Sequence, residues 1–113
     1  MTSPNVFIQK TICLENRNFS LKIQKFENGC FVSITEGSNK IGSMVVSLST
    51  GYAPITTTVI PSKNESLFLK LIAERISTQM RGVALVSSFI QKKLESNTAK
   101  AIMSKIVEML DND

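Results

Sequence analysis

The side chains able to do chemistry in this chain are few and scattered. None of its 113 residues is a histidine, which removes the commonest general base and the commonest metal ligand. The two cysteines, Cys13 and Cys30, fall in separate strand-like segments and lack the spacing of a zinc site. They are expected to be buried free thiols. The carboxylates Glu15, Glu27, Glu36, Glu65, Glu74, Glu95, Glu108, Asp111 and Asp113 lie mostly in turns or at polar helix positions, where a solvated charge is the ordinary state. Glu74 and Arg75 read as a surface pair. Serine and threonine are abundant, but no base stands beside them to make a nucleophile, and no glycine-rich phosphate loop is present. The inventory predicts no catalysis, no metal and no cofactor. One residue stands out for binding: Tyr52, the single tyrosine, in a loop with Gly51, since aromatic side chains on loops are favoured contact anchors.

The elements that must position such a residue follow from periodicity. Val6 to Glu15 reads as a strand with Val6, Ile8, Ile12 and Leu14 on one face, and Asn16-Arg17-Asn18 as a turn. Phe19 to Phe26 alternates, with Phe19, Leu21 and Ile23 inward. Asn28-Gly29 is a hairpin signal, and Cys30 to Thr35 is the third strand. After Gly37-Ser38-Asn39-Lys40 comes a fourth, Ile41 to Leu48, then the loop Ser49 to Pro54, then a β-branched fifth, Ile55 to Ile60, stopped by Pro61.

The period then becomes helical. Ser62 or Asn64 caps a helix running to Arg81, with Phe68, Leu69, Ile72, Ala73, Ile76 and Met80 on its apolar side and Gly82 at its end. A sixth strand spans Gly82 to Ile90. Ser96 caps a last helix carrying Ala99, Ile102, Met103, Ile106 and Leu110. The prediction is one α+β domain over residues 1–113, with about six mainly antiparallel strands, two helices on one face and the order βββββ-α-β-α.

Geometry then raises a question of cover. Six strands make a sheet about 29 Å wide, and two helices side by side cover about 20 Å of one face only. The face with the stronger hydrophobes (Ile8, Ile12, Leu21, Ile23, Val32, Ile34, Met44, Val46, Leu48, Val83, Leu85 and Phe89) is assigned to the helices. The other carries Cys13, Phe26, Phe31, Ser33, Val45, Ser47, Thr56, Thr58, Ala84, Val86, Ser88 and Ile90. Its mixture of hydroxyls and apolar groups suits an interface that survives exposure. Phe31, Ser33, Val45, Ser47, Thr56, Thr58, Val86 and Ser88 are therefore the expected dimer-interface residues.

The composition excludes other classes. Hydrophobic residues form 42% of the chain, and no apolar run approaches the roughly 20 residues of a membrane span. The first residues carry no basic segment of a secretory leader, so a cytoplasmic or nuclear location is expected, with Asn18 and Asn64 unglycosylated. The net charge of +4 comes from dispersed lysines and arginines, not from the basic stripe with aromatic platforms that binds nucleic acid.

The segment Asn39-Lys40-Ile41-Gly42-Ser43-Met44-Val45-Val46-Ser47-Leu48, followed by Thr56-Thr57-Thr58-Val59, the helix Leu67 to Met80 and Arg81-Gly82-Val83-Ala84-Leu85-Val86, resembles the proteasome assembly chaperone 3 family. The resemblance runs from about residue 39 to 110 in order and spacing. It implies a small non-enzymatic α+β protein that pairs with a homologous assembly chaperone, or with itself when alone. Such a pair binds α-subunits of the 20S proteasome and guides α-ring formation. It also implies that the loop residues Ser49, Thr50, Gly51 and Tyr52 contact an α-subunit, although this loop is short and has no carboxylate where some members carry acidic ones. The competing reading is a small dimeric scaffold of membrane-trafficking type.

Overall fold

The computed structural model describes residues 6–62 and 66–111; the Asn64 cap, the sequon at Asn64 and the first five residues lie outside these bounds. The element order is β1 (Val6–Leu14), β2 (Arg17–Phe26), β3 (Gly29–Glu36), β4 (Ser43–Leu48), β5 (Ile55–Ile60), α1 (Ser66–Met80), β6 (Val83–Phe89) and α2 (Ser96–Asp111). This is the predicted α+β order. The six strands form one sheet in the order β1-β2-β3-β6-β4-β5, in which β3 and β6 run parallel and every other neighbour pair is antiparallel.

Local chemistry explains the connections. Glu15 and Asn16 both adopt positive φ, 51° and 63°, as a two-residue hairpin turn matched to strand twist requires. The second hairpin differs from expectation. Phe26 pairs with Gly29, so Glu27 and Asn28 make the turn and Gly29 opens β3. The reason lies in β6: a Cβ on Gly29 would run into the Val83 carbonyl oxygen, and one on Gly82 into that of Asn28. Glycine is needed at residue 29 for backbone approach at the start of the parallel pair, where Val83 N–H donates to Asn28 C=O at 2.9 Å. At the end of α1 it is Arg81, not Gly82, that takes the left-handed conformation, with φ of 54°. The Gly82 N–H then reaches back to the Ser77 carbonyl at 3.1 Å, closing the helix with a Schellman bond.

Both helices lie on one face. α1 crosses β4, β6 and β5, and α2 packs near β2 and α1. The core joins Phe19, Leu21, Ile23, Cys30, Val32, Ile34, Val45, Ala84 and Val86 of the sheet to Leu69, Ile72, Ala73 and Ile76 of α1 and to Ile102, Ile106, Met109 and Leu110 of α2. For β2 and β3, and for Ile8, Ile12 and Leu14 of β1, the predicted inward residues are the ones found. For β4 and β6 the assignment is reversed. Register pairs Val32 with Val86, and Val86 with Val45, so Val45, Ser47, Ala84, Val86 and Ser88 point at the helices together with Thr56 and Thr58. Met44, Val46, Leu48, Val83, Leu85 and Phe89 point away.

Polar bonding beneath α1 accounts for the reversal. Ser47 Oγ lies 3.1 Å from Thr56 Oγ1 and 2.9 Å from Ser77 Oγ. Thr56 Oγ1 donates to Glu74 Oε2 at 2.9 Å, and Ser77 Oγ to the Glu74 carbonyl at 3.2 Å. With Thr56 and Ser77 both donating to Glu74, the single Ser47 proton goes to one or the other of its two hydroxyl neighbours, and Ser47 and Thr56 are bonded to the helix rather than left without partners. Glu74 is consequently bound to the sheet and not paired with Arg75.

A second polar cluster fixes the link from β6 to α2. Arg17 donates to both carboxylate oxygens of Glu36, at 2.8 and 2.7 Å, and to the carbonyls of Lys92 and Lys93. Gln91 N–H also donates to Glu36, at 2.9 Å. The Arg17 bonds, aided by Gln91 and opposed by burial, hold the Glu36 carboxyl below the ordinary carboxylate range. A depressed native pKa contributes stability above the unfolded value that is lost as pH falls through the folded one. Glu36→Gln is therefore expected to lower stability by about 1.5–3 kcal/mol at pH 7. The difference from wild type should vanish at pH values below the folded pKa. Urea midpoints at pH 7 and across the acid limb check this; a pH-independent difference would contradict it.

The cysteines part company. Cys30 is buried, and burial raises its thiol to about 11 against a smaller opposing effect of Lys25. Cys13, predicted buried, is exposed, because it sits on the edge strand β1 with its side chain on the face the helices do not cover.

Candidate functional site: the uncovered sheet face

Cross-strand register builds the uncovered face row by row. One row runs Phe7, Gln24, Phe31, Leu85, Val46 and Thr57. The next runs Gln9, Lys22, Ser33, Ser87, Met44 and Ile60. Toward the other end Phe26 pairs with Gly29, Gly29 with Val83, Val83 with Leu48, and Leu48 with Ile55. The face therefore divides. Its β1–β2 part is mainly polar away from Phe7 and Phe26, with Gln9, Thr11, Ser20, Lys22 and Gln24. Its β3–β6–β4–β5 part carries Phe31, Val83, Leu85, Phe89, Met44, Val46, Leu48 and Ile55. Here Phe31, Val83, Leu85, Met44 and Val46 are partly exposed, and Leu48 and Ile55 are 38% and 71% exposed.

A β-bulge enlarges this apolar area. Met44 pairs with Ile60 and Val45 with Thr58, which leaves Val59 as the extra residue of β5. Strict alternation would send Ile60 to the helix side with Thr56 and Thr58; the inserted residue returns it beside Met44. Ser87 sits in the middle of the face, 1% exposed, with its hydroxyl oxygen unpartnered among the described residues. Lys40 lies over the Phe89 ring, 5.3 Å from its centroid.

Of the eight expected interface residues, only Phe31 and Ser33 stand on this face. Val45, Ser47, Thr56, Thr58, Val86 and Ser88 are turned to the helix side, where all but the edge-strand threonines are sealed. The uncovered face itself is present; it is built by neighbours in the same strands. The sequence reading missed Met44, Val46, Leu48, Val83, Leu85 and Phe89 as its members, because their strong hydrophobicity was credited to the helix side, and it assigned Ile60 to neither face.

The loop Ser49, Thr50, Gly51 and Tyr52 lies at one end of the sheet, pinned by a bond from Ser49 N–H to the Gly82 carbonyl at 3.0 Å. With Pro54, Thr78 and Arg81 it lines an open cleft of about 590 Å³. Tyr52 is fully exposed, at 111% of its reference area, so its ring does not pack the loop onto the sheet. No group of histidine, cysteine or carboxylate side chains able to hold a metal exists among the described residues, and none of their helices is long and apolar enough to cross a membrane. The arrangement offers contact surface.

The model of the family described as proteasome assembly chaperone 4 matches residues 18–90. The chain belongs to that family. The match covers β2 through β6, including the whole apolar part of the uncovered face. The sequence resemblance had named the third assembly chaperone, whereas the match is to the fourth. The protein is thus a non-catalytic proteasome assembly chaperone, and the trafficking-scaffold reading falls away. Its fold is similar to that of a chain in the crystal structure of a novel chaperone complex for yeast 20S proteasome assembly, with a TM-score of 0.70 and 10% identity over 96% of this chain and 97% of that one. No curated protein sequence matches the chain.

Proposed function

We propose that this chaperone works as half of a pair, with its uncovered sheet face packed against a homologous assembly chaperone, and that the pair binds α-subunits of the 20S proteasome to promote α-ring formation. One observation carries the pairing. Along β4 and β6 the larger apolar side chains face away from the chain's own helices, while alanine, serine and valine face toward them. A chain that folded only for itself would place its larger hydrophobes under the helices, since apolar burial is the main favourable contribution to folding. A second sheet packed about 10 Å away would bury these residues as in a β-sandwich. The structural likeness to a chain of a two-protein or larger chaperone complex is consistent with this arrangement.

The mechanism is differential binding. A chaperone pair that holds one arrangement of α-subunits more tightly than the alternatives raises the population of correct rings. The loop with Tyr52 supplies an exposed aromatic anchor at the end of the sheet, outside the face used for pairing. Such a protein would act in the cytoplasm or nucleus, wherever α-subunits are free.

Mass spectrometry of complexes purified through this chain from native extract tests the proposal. A second assembly chaperone and proteasome α-subunits are the expected companions. Tyr52→Ala should reduce α-subunit recovery by about tenfold and leave the chaperone pair intact. Recovery of the protein as a lone monomer would count against the pairing, and unchanged α-subunit recovery against the loop.

A further inference from the structure

Three non-glycine residues among those described adopt positive φ: Glu15, Asn16 and Arg81. The conformation is costly for any residue with a Cβ, which crowds the following carbonyl oxygen. Two of the three have a local reason for it. Asparagine tolerates the left-handed region, and the Glu15 carboxylate receives the Thr98 hydroxyl at 3.1 Å, which ties the β1–β2 turn to α2. Arg81 has neither. It ends α1 with φ of 54°, at a position where glycine is the usual residue. Its side chain is exposed and makes no hydrogen bond or ion pair with the other described residues. Gly82 beside it is held in place by its close approach to the Asn28 carbonyl, so the helix closes one residue earlier, on an arginine.

What Arg81 does line is the open cleft under the Tyr52 loop. Around its guanidinium the cleft sets the hydroxyls of Ser49, Thr50 and Thr78 and the fully exposed Tyr52 ring. No carboxylate lines the cleft, and none stands between its lining residues in either contributing segment, 49–54 or 78–81. Glu27 lies in the β2–β3 turn, next to the Asn28 that meets Gly82, yet it forms no ion pair with Arg81; the ion pairs of the described residues are Arg17–Glu36 and Lys105–Glu108.

We propose that Arg81 and Tyr52 together form a receptor for an acidic side chain of a proteasome α-subunit. A guanidinium presents a planar fork of donors that fits a carboxylate in two parallel hydrogen bonds. The hydroxyls of the lining can serve the lone pairs that remain, and the Tyr52 ring packs along the flank of the incoming chain. Strained backbone at a residue with no bond of its own to maintain marks a contact made in the complex. The inference rests on the reading that this end of the sheet binds α-subunits, and it names the chemistry by which they are recognised.

The test uses the full chain, both purified and as complexes drawn through it from native extract. Arg81→Gly is expected to raise the urea midpoint of the purified chain, because glycine takes the left-handed conformation without the crowding of a Cβ. The same substitution should lower α-subunit recovery about tenfold and leave the partner chaperone bound. Stability that rises while binding falls is an outcome a merely structural arginine would not give. Arg81→Lys keeps the charge without the fork and should retain more α-subunit than Arg81→Gly. In complexes of Arg81→Lys, a water-soluble carbodiimide, which joins an amine to a carboxylate as an amide, should link position 81 to an aspartate or glutamate of an α-subunit, located by mass spectrometry. Equal α-subunit recovery by wild type and Arg81→Gly would overturn this inference and leave the underlying reading standing. Absence of α-subunits from the wild-type complexes would overturn both. A lowered urea midpoint in Arg81→Gly would make the arginine structural, and a link from position 81 to the partner chaperone would make that chain the occupant; either result overturns the proposal.

Discussion

Leu85→Asp is expected to leave the chain folded and to weaken its pairing with a partner chaperone by at least about 100-fold. Leu85 sits at the centre of the uncovered face, opposite Phe31 on one side and Val46 on the other. It is partly exposed in the isolated chain, so a carboxylate there keeps access to water before pairing. In a sandwich the same carboxylate would be enclosed between the opposing sheet and the apolar Phe31 and Val46 of its own. An uncompensated charge in such a site costs several kcal/mol. Light scattering of the co-expressed pair measures the outcome, together with urea denaturation of the variant alone. A variant that pairs with wild-type affinity would remove the uncovered face as the interface.

The next residue along the strand should behave in the opposite way. Val86 is fully buried between Val32 and Val45 beneath α1. Val86→Asp places a charge in the centre of the core, with a penalty of several kcal/mol, against a total stability of about 5–15 kcal/mol for a domain of this kind. The expected result is loss of the cooperative urea transition or inclusion-body expression, before any question of pairing arises. Two adjacent substitutions in one strand thus separate folding from association. If Val86→Asp folded normally and Leu85→Asp did not, the face assignment given by the register would be wrong.

That register is also where the reach of the sequence ends. Alternation in Phe19, Leu21 and Ile23 and in Cys30, Val32 and Ile34 gave the correct buried side, because the alternate positions Ser20, Lys22 and Gln24, or Ser33 and Thr35, were plainly more polar. β4 and β6 offered no such contrast. Met44, Val46 and Leu48 alternate with Val45 and Ser47, and Val83 and Leu85 with Ala84 and Val86, so both sides are apolar enough to be buried. Ranking by hydrophobicity then chose the wrong one, since Ser47 and Thr56, polar enough to be assigned to water, are bonded to α1. The bulge at Val59 could not be read from the β-branched run around it. Strand order was equally hidden, because hairpin signals fix only sequential neighbours. The parallel contact of β3 with β6 is a long-range pairing whose signature is glycine at residue 29, seen first as part of a turn. The loop at Tyr52 was legible from composition, and its full exposure agrees with the role suggested for an anchor.

The placement of β6 has a temporal consequence. Residues 6–36 make one antiparallel meander and residues 43–60 a separate hairpin, and nothing but β6 joins them into a continuous sheet. During synthesis, therefore, the apolar platform stays in two unconnected fragments until Val83–Phe89 has left the ribosome and threaded between them. Truncated products ending before that strand would lack the contiguous surface altogether, which makes assembly competence a late event in the life of each nascent molecule.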